Sequence, residues 1–102
     1  MKTLILIIDD DEKLNQLLVT YLANHGFEVI SSTLPEEGLR MLEREKPGLV
    51  ILDVMLPQMD GFEVCRRLKA SEATRLIPIV VVTGLADLQH KLDALEAGAD
   101  DF

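Results

Sequence analysis

Acidic side chains follow two compact apolar runs of this sequence, and a hydroxyl group follows a third run. The residues at these three positions are Asp9-Asp10-Asp11, Asp53 and Thr83-Gly84. Carboxylates held within a few ångström of one another repel, so a folded protein either raises their pKa or binds a cation between them. A cation beside a carboxylate can align a phosphoryl donor, after which the carboxylate can attack phosphorus and form an acyl phosphate.

The side chains available near these acids favour a hard cation. Neither a cysteine nor a histidine stands close to them in the sequence. A ligand set made of oxygen atoms alone favours Mg²⁺, with Mn²⁺ as the alternative, over zinc. Acids after strands also serve as helix caps, and Asp10 or Asp11 taken alone fits a cap equally well. The joint placement of polar groups after three apolar runs favours a site.

The apolar runs themselves are the elements that must position these groups. They are Leu4–Ile8, Leu49–Leu52 and Ile77–Val82. They are rich in Ile and Val and lack polar alternation, which is typical of central parallel strands buried on both faces. A weaker strand is predicted at Phe27–Ser31.

Four segments between or after the strands have helical periodicity. In the first, apolar residues recur every three or four positions, at Leu14, Leu17, Leu18, Tyr21 and Leu22, and the helix should stop at Asn24-His25-Gly26. The second should open at Pro35-Glu36-Glu37, with proline early and acids in the first turn. The third is predicted from about Gly61 to Ala70. The fourth carries Leu85, Leu88, Leu92 and Leu95 and should end at Gly98.

Strict alternation of strand and helix predicts an α/β fold. Its parallel sheet should have right-handed crossovers and helices on both faces. In such sheets the functional crevice lies beyond the carboxyl ends of the central strands. The acids and the hydroxyl group should therefore meet at one edge of the sheet.

The composition bounds the class of protein. A length of 102 residues suits one domain. A net charge of −8 repels nucleic acid backbones and anionic lipids, so neither is an expected direct partner. The apolar runs are too short to span a bilayer and no signal peptide is recognisable, so we expect a cytoplasmic protein. The single cysteine, Cys65, is expected to be a buried structural thiol.

Together these segments resemble the receiver domains of bacterial two-component response regulators. The resemblance covers the whole chain in order, on the segments Leu4–Asp11, Asp53–Gly61, Pro78–Gly84 and Gly98–Phe102. An aspartate followed at fixed offsets by Pro57, Asp60 and Gly61 is much more specific than a lone Asp-Gly turn. The resemblance implies a doubly wound, flavodoxin-like parallel sheet with strand order 2-1-3-4-5.

The resemblance also implies a role for each site residue. Asp53 would be the phosphoacceptor, and Asp11 a local cap or a solvated acid. The groups implied as Mg²⁺ ligands are Asp9, Asp10, Asp53 and the carbonyl of Met55. The groups implied to respond to the phosphoryl group are the Thr83 hydroxyl, the Gly84 backbone and the Phe102 ring. The implied partner is a sensor histidine kinase or a phosphotransfer protein.

In receivers the aromatic residue is followed by a lysine and then a fifth helix. Here the aromatic residue is Phe102, the last residue of the chain, so neither has a counterpart. Neither Lys69 nor Lys91 lies at the lysine's place in the order. The resemblance therefore implies a receiver domain over residues 1–102 that is truncated at its C-terminal end, lacking most of strand five and all of helix five. Apolar surface left bare by such a truncation should make the chain self-associate.

Two other functions stay open. A haloacid-dehalogenase-type phosphatase would use Asp9 as nucleophile and Asp11 as a second acid, although Glu12-Lys13 stands where that motif has Gly-Thr. A receiver-like interaction module would signal without phosphate, which the missing lysine makes a serious alternative. Mapping a trapped phosphoryl group to Asp9 or Asp53 separates the first from a receiver. Binding of Mg²⁺ and a phosphoryl analogue separates the second.

Overall fold

The chain alternates strands and helices throughout the part that the computed structural model describes, residues 2–53 and 61–82. The elements are β1 (Leu4–Ile8), α1 (Glu12–Ala23), β2 (Glu28–Ser32), α2 (Pro35–Glu45), β3 (Leu49–Asp53), α3 (Gly61–Ala70) and β4 (Ile79–Val82). Each strand and helix predicted within these ranges is present. The predicted fourth helix and the remnant of a fifth strand lie outside the described residues.

The four strands form one parallel sheet in the order β2-β1-β3-β4. This order confirms the doubly wound arrangement, and the place of a fifth strand lies outside the described residues. The chain steps from β1 outward to β2 and then returns past β1 to β3. With right-handed crossovers, these opposite directions put α1 and α2 on opposite faces of the sheet.

The main core lies between the sheet and the pair α2 and α3, which contact each other. Alternate residues of β1, β3 and β4 pack there against apolar residues of the two helices. The fully buried members of this cluster are Leu6, Ile8, Leu42, Val50, Leu52, Val64, Cys65, Leu68, Ile79 and Val81. The buried thiol predicted at Cys65 is confirmed.

The opposite face, which carries α1, is less covered. Ile5 and Ile7 are buried there, but Ile51 and Val80 are only partly buried. On α1 itself, the apolar residues that define its amphipathic pattern include some that are well exposed: Leu14 at 37%, Leu17 at 70% and Tyr21 at 60%. The predicted helix is therefore correct, but its apolar stripe is not fully buried.

Two predicted strand starts were wrong by one or two residues. Phe27 belongs to the turn after α1, because Gly26 has φ of +90° and the Phe27 N–H donates to the Leu22 carbonyl at 3.2 Å. Ile77 likewise belongs to a turn, since its N–H donates to the Thr74 carbonyl at 3.0 Å, and β4 begins only after Pro78. Both residues are apolar and were therefore included in the predicted strands, but local hydrogen bonds place them in turns.

Candidate functional site

Three of the four acids predicted to meet, Asp9, Asp10 and Asp53, do so at the carboxyl ends of β1 and β3. These strands are parallel neighbours, with Ile8 opposite Leu52, so the residues that follow, Asp9 and Asp53, are adjacent. One carboxylate oxygen from each of Asp9, Asp10 and Asp53 lies within 4.8 Å of the others. The parallel register accounts for this cluster, since it brings two strand ends to the same level.

The loop after β1 is held by hydrogen bonds of its own residues. The Asp11 side chain accepts from the Leu14 N–H at 3.0 Å and caps α1, which confirms the cap expected at this position. The Asp11 N–H in turn donates to Asp9 Oδ1 at 2.9 Å. The Asp9 N–H donates to the Ser32 carbonyl at 3.1 Å, which ties the loop to the end of β2. Asp9 is thus hydrogen-bonded both to the end of β2 and to the residue that caps α1.

The electrostatics of the site disfavour the ionised form of Asp9. The residue is 9% exposed, and this burial is the largest reason that its pKa is raised above the ordinary value of an aspartate. Repulsion from Asp53, Asp10 and Asp11 raises the pKa further, while the hydrogen bond from the Asp11 N–H opposes the shift. A cation at this position would relieve both the repulsion and the loss of hydration.

The spacing of the cluster suits a small divalent cation. Oxygen ligands about 2.1 Å from one Mg²⁺ ion lie at most about 4.2 Å apart. The observed limit of 4.8 Å therefore requires only small side-chain rotations, or a water molecule in place of one direct bond. The ligands offered are carboxylates alone, which Mg²⁺ and Mn²⁺ prefer over softer ions. The residues that the structure describes fit the predicted metal.

Not every predicted site residue can be placed. The structure brings Asp9, Asp10 and Asp53 together, whereas Met55, Thr83, Gly84 and Phe102 lie outside the described residues. The sequence analysis also missed Asn15, a buried residue of α1 whose Nδ2 donates to the Asp9 carbonyl at 2.9 Å. An asparagine next to the apolar positions of a helix was the available signal, but it does not say which group the side chain contacts.

Comparison with known proteins decides the family. The model for the response regulator receiver domain matches residues 5–102. The chain belongs to the response regulator receiver domain family.

The curated relatives include a probable transcriptional regulator ycf27 of Porphyridium aerugineum, 41% identical over 99% of this chain and 41% of the relative. The PhoP regulator of alkaline phosphatase synthesis in Bacillus subtilis is 41% identical over the whole chain and 42% of its own length. The receiver thus spans about two-fifths of these relatives.

Solved structures agree with this family and fold. A response regulator from Chloroflexus aurantiacus superposes with a TM-score of 0.93 at 34% identity, covering 99% of this chain and 83% of that one. The BeF₃-activated receiver domain of Klebsiella pneumoniae RstA gives 0.89 at 35% identity, covering 96% and 81%. The flavodoxin-like fold predicted by resemblance is confirmed. The family match and the capping role of Asp11 both count against the dehalogenase-type phosphatase.

None of the helices in the described ranges combines the length and the apolar character needed to cross a lipid bilayer.

Proposed function

We propose that this receiver accepts a phosphoryl group on Asp53, with Mg²⁺ (or Mn²⁺) held by Asp9, Asp10 and Asp53. The observation that carries the proposal is the cluster of three carboxylates within 4.8 Å at the ends of β1 and β3, in a member of the receiver family. The family model covers residues 5–102 and describes a signalling domain, so we propose that residues 1–102 act as one signalling domain.

The chain's own residues supply the nucleophile and its surroundings. An oxygen of Asp53 attacks phosphorus, a new O–P bond forms, and the bond to the donor's nitrogen breaks with its electron pair leaving on that nitrogen. Asp9 and Asp10 would hold the metal, whose positive charge would neutralise the phosphoryl oxygens beside Asp53. By resemblance, the Met55 carbonyl completes the metal ligands, and Thr83, Gly84 and Phe102 respond to the phosphoryl group.

The proposed phosphodonor is a sensor histidine kinase or a phosphotransfer protein. The net charge of −8 disfavours direct contact with nucleic acid, even though the relatives named above are transcriptional regulators. Any contact with DNA would then fall to a part of a longer protein outside these residues. A cytoplasmic location stays a prediction.

A phosphoryl-transfer assay tests the proposal directly. The chain is incubated with phosphoramidate and Mg²⁺, and its intact mass is followed for the addition of one HPO₃ unit, which peptide mapping then locates. We expect the addition at Asp53, and no addition in Asp53→Asn or without Mg²⁺. Asp11→Asn is the matched control, because it removes a charge from the same acidic run while asparagine can still cap α1.

Other outcomes would contradict the proposal in recognisable ways. A phosphoryl group mapped to Asp9 would favour the dehalogenase-type chemistry. No added mass, together with no response to Mg²⁺, would favour an interaction module that works without phosphate.

Binding of the metal can be measured without any reaction. A ligand that binds only the folded state stabilises it by RT ln(1 + [L]/Kd), so Mg²⁺ at ten times its Kd adds about 1.4 kcal/mol. We expect millimolar Mg²⁺ to raise the melting temperature of the chain and Asp10→Asn to weaken that response. An unchanged melting temperature across the titration would count against the metal site.

A further inference from the structure

Asn15 links the acidic loop to the body of α1. The residue lies in the second turn of the helix and is 2% exposed. Its Nδ2 donates to the main-chain carbonyl of Asp9 at 2.9 Å, across six positions of sequence and in a buried setting. Its own N–H donates to the Asp11 carbonyl at 3.0 Å. Asn15 therefore contacts the residues on both sides of Asp10.

Packing alone does not account for an asparagine at this position. Asn15 Oδ1 is buried and has no hydrogen-bond partner within the part of the chain that the structure describes. A buried acceptor without a partner destabilises the fold, and asparagine is a poor helix former. An apolar residue of similar size would avoid both costs. An amide at this position thus indicates a role for its other end, the Nδ2 group that donates to Asp9.

We propose that Asn15 is a positioning residue for the metal-binding acids. Asp9 is held at its N–H by Ser32, at its carboxylate by the Asp11 N–H, and at its carbonyl by Asn15. The third contact sets the orientation of the peptide unit that joins Asp9 to Asp10, and so the direction in which the Asp10 carboxylate leaves the chain. Residues that orient metal ligands in this way commonly change affinity for the metal when they are replaced. This inference rests on the proposed function.

The test compares two neighbouring amides on α1. Asn15→Leu removes the contact to Asp9 together with the unpartnered oxygen, and Gln16→Leu makes the same chemical change at an exposed position. We expect Asn15→Leu to weaken Mg²⁺ binding about 10- to 100-fold, measured as Kd by isothermal titration calorimetry well below the melting temperature. Gln16→Leu should leave the Kd unchanged. The melting temperature without Mg²⁺ is recorded for every variant.

A second pair of variants keeps the shape of the side chain. Asn15→Asp replaces the amide donor with a carboxylate, which in its ionised form cannot donate to Asp9, and Gln16→Glu adds the same charge one residue further along. Asn15→Asp should weaken Mg²⁺ binding relative to Gln16→Glu. This pair decides the question if Asn15→Leu does not fold.

The outcomes separate this inference from the proposed function. If the parent chain does not bind Mg²⁺, the proposed metal site fails and the inference fails with it. If the parent binds but the Asn15 variants keep its Kd while melting at lower temperature, Asn15 is only structural and the inference is overturned. If neither Asn15→Leu nor Asn15→Asp folds, Asn15 is required for the fold itself, and the inference is likewise overturned.

Discussion

Asp9 couples the acidic site to the stability of the domain. Because burial and three neighbouring carboxylates raise its pKa, the folded state holds the Asp9 proton more tightly than the unfolded state does. Between the ordinary pKa and the raised one, the folded state binds more protons, so the free energy of unfolding falls as pH rises through that window. At neutral pH without metal, the ionised Asp9 is therefore destabilising.

This predicts that Asp9→Asn stabilises the metal-free chain at neutral pH. The asparagine oxygen can still accept from the Asp11 N–H, while the buried charge is gone. If this contributes about 1 kcal/mol, the melting temperature should rise by roughly 4–8 °C, and the gain should shrink as the pH is lowered through the window. Glu43→Gln, an exposed site on α2, controls for net charge. A lower melting temperature for Asp9→Asn at neutral pH would contradict the account.

Lys46 provides a second prediction at the residue scale. It ends α2 with φ of 47° and ψ of 64°, a left-handed conformation in which a side chain is unfavourable. We expect Lys46→Gly to stabilise the domain by about 0.5–1 kcal/mol in chemical denaturation, because the strain removed exceeds the entropy that glycine adds to the unfolded chain. Lys46→Ala is the control: it removes the lysine charge but keeps the strain, so it should not stabilise.

At the scale of elements, a glycine of α2 lies directly against a side chain of β1. A Cβ placed on Gly38 would lie 2.6 Å from Ile8 Cδ1 and 2.8 Å from Ile8 Cγ1, in the buried core. A side chain at position 38 would therefore force the Ile8 side chain to shift within the buried core. The sequence shows a glycine inside a predicted helix, but it does not show which strand residue the glycine packs against.

The prediction is a reversal of ordinary helix propensity. Glycine to alanine inside a helix usually stabilises by roughly 1 kcal/mol. We expect Gly38→Ala instead to destabilise by about 1–3 kcal/mol in denaturant unfolding, because it overpacks the core. Ile8→Val removes the Cδ1 atom that an alanine at position 38 would contact. The double variant should therefore lose less free energy of unfolding than the sum of the two single changes. Additive effects, or a stabilising Gly38→Ala, would show that the contact does not limit packing.

At the scale of the whole molecule, the two faces of the sheet differ in how well they are covered. The face with α2 and α3 has a fully buried core, whereas Leu17 and Tyr21 on α1 are 70% and 60% exposed, with Ile51 and Val80 of the sheet only partly buried. Adjacent exposed apolar side chains favour association with another surface. We expect the chain of 102 residues to self-associate through this α1 surface.

Light scattering over a concentration series measures this association. Replacing Leu17 and Tyr21 with glutamine should shift the chain toward the monomer without lowering its melting temperature by more than a few degrees, since both side chains are mostly exposed. Leu76→Gln is the matched control, because Leu76 is 81% exposed but lies in the loop between α3 and β4. A parent chain that stays monomeric at high micromolar concentration would contradict the prediction.

The sequence by itself determined the order of elements and the residues at the strand ends. Ile- and Val-rich runs followed by Asp9-Asp10-Asp11 and Asp53 predicted parallel strands with acids at their carboxyl ends. Three of these acids, Asp9, Asp10 and Asp53, lie together in the structure. This prediction was correct because hydrophobic periodicity is set by local residue types, and because parallel pairing brings the carboxyl ends of strands to the same edge. The roles proposed for Thr83, Gly84, Met55 and Phe102 rest on resemblance alone.

Only the tertiary structure decided the contacts that depend on distance through space. Three examples are the hydrogen bond from Asn15 to the Asp9 carbonyl, the contact of Gly38 with Ile8 and the raised pKa of Asp9. Each depends on residues that belong to different parts of the fold. Sequence periodicity gives the face of a helix but not the partner of each side chain. Burial and electrostatic repulsion are sums over neighbours that the fold alone brings together.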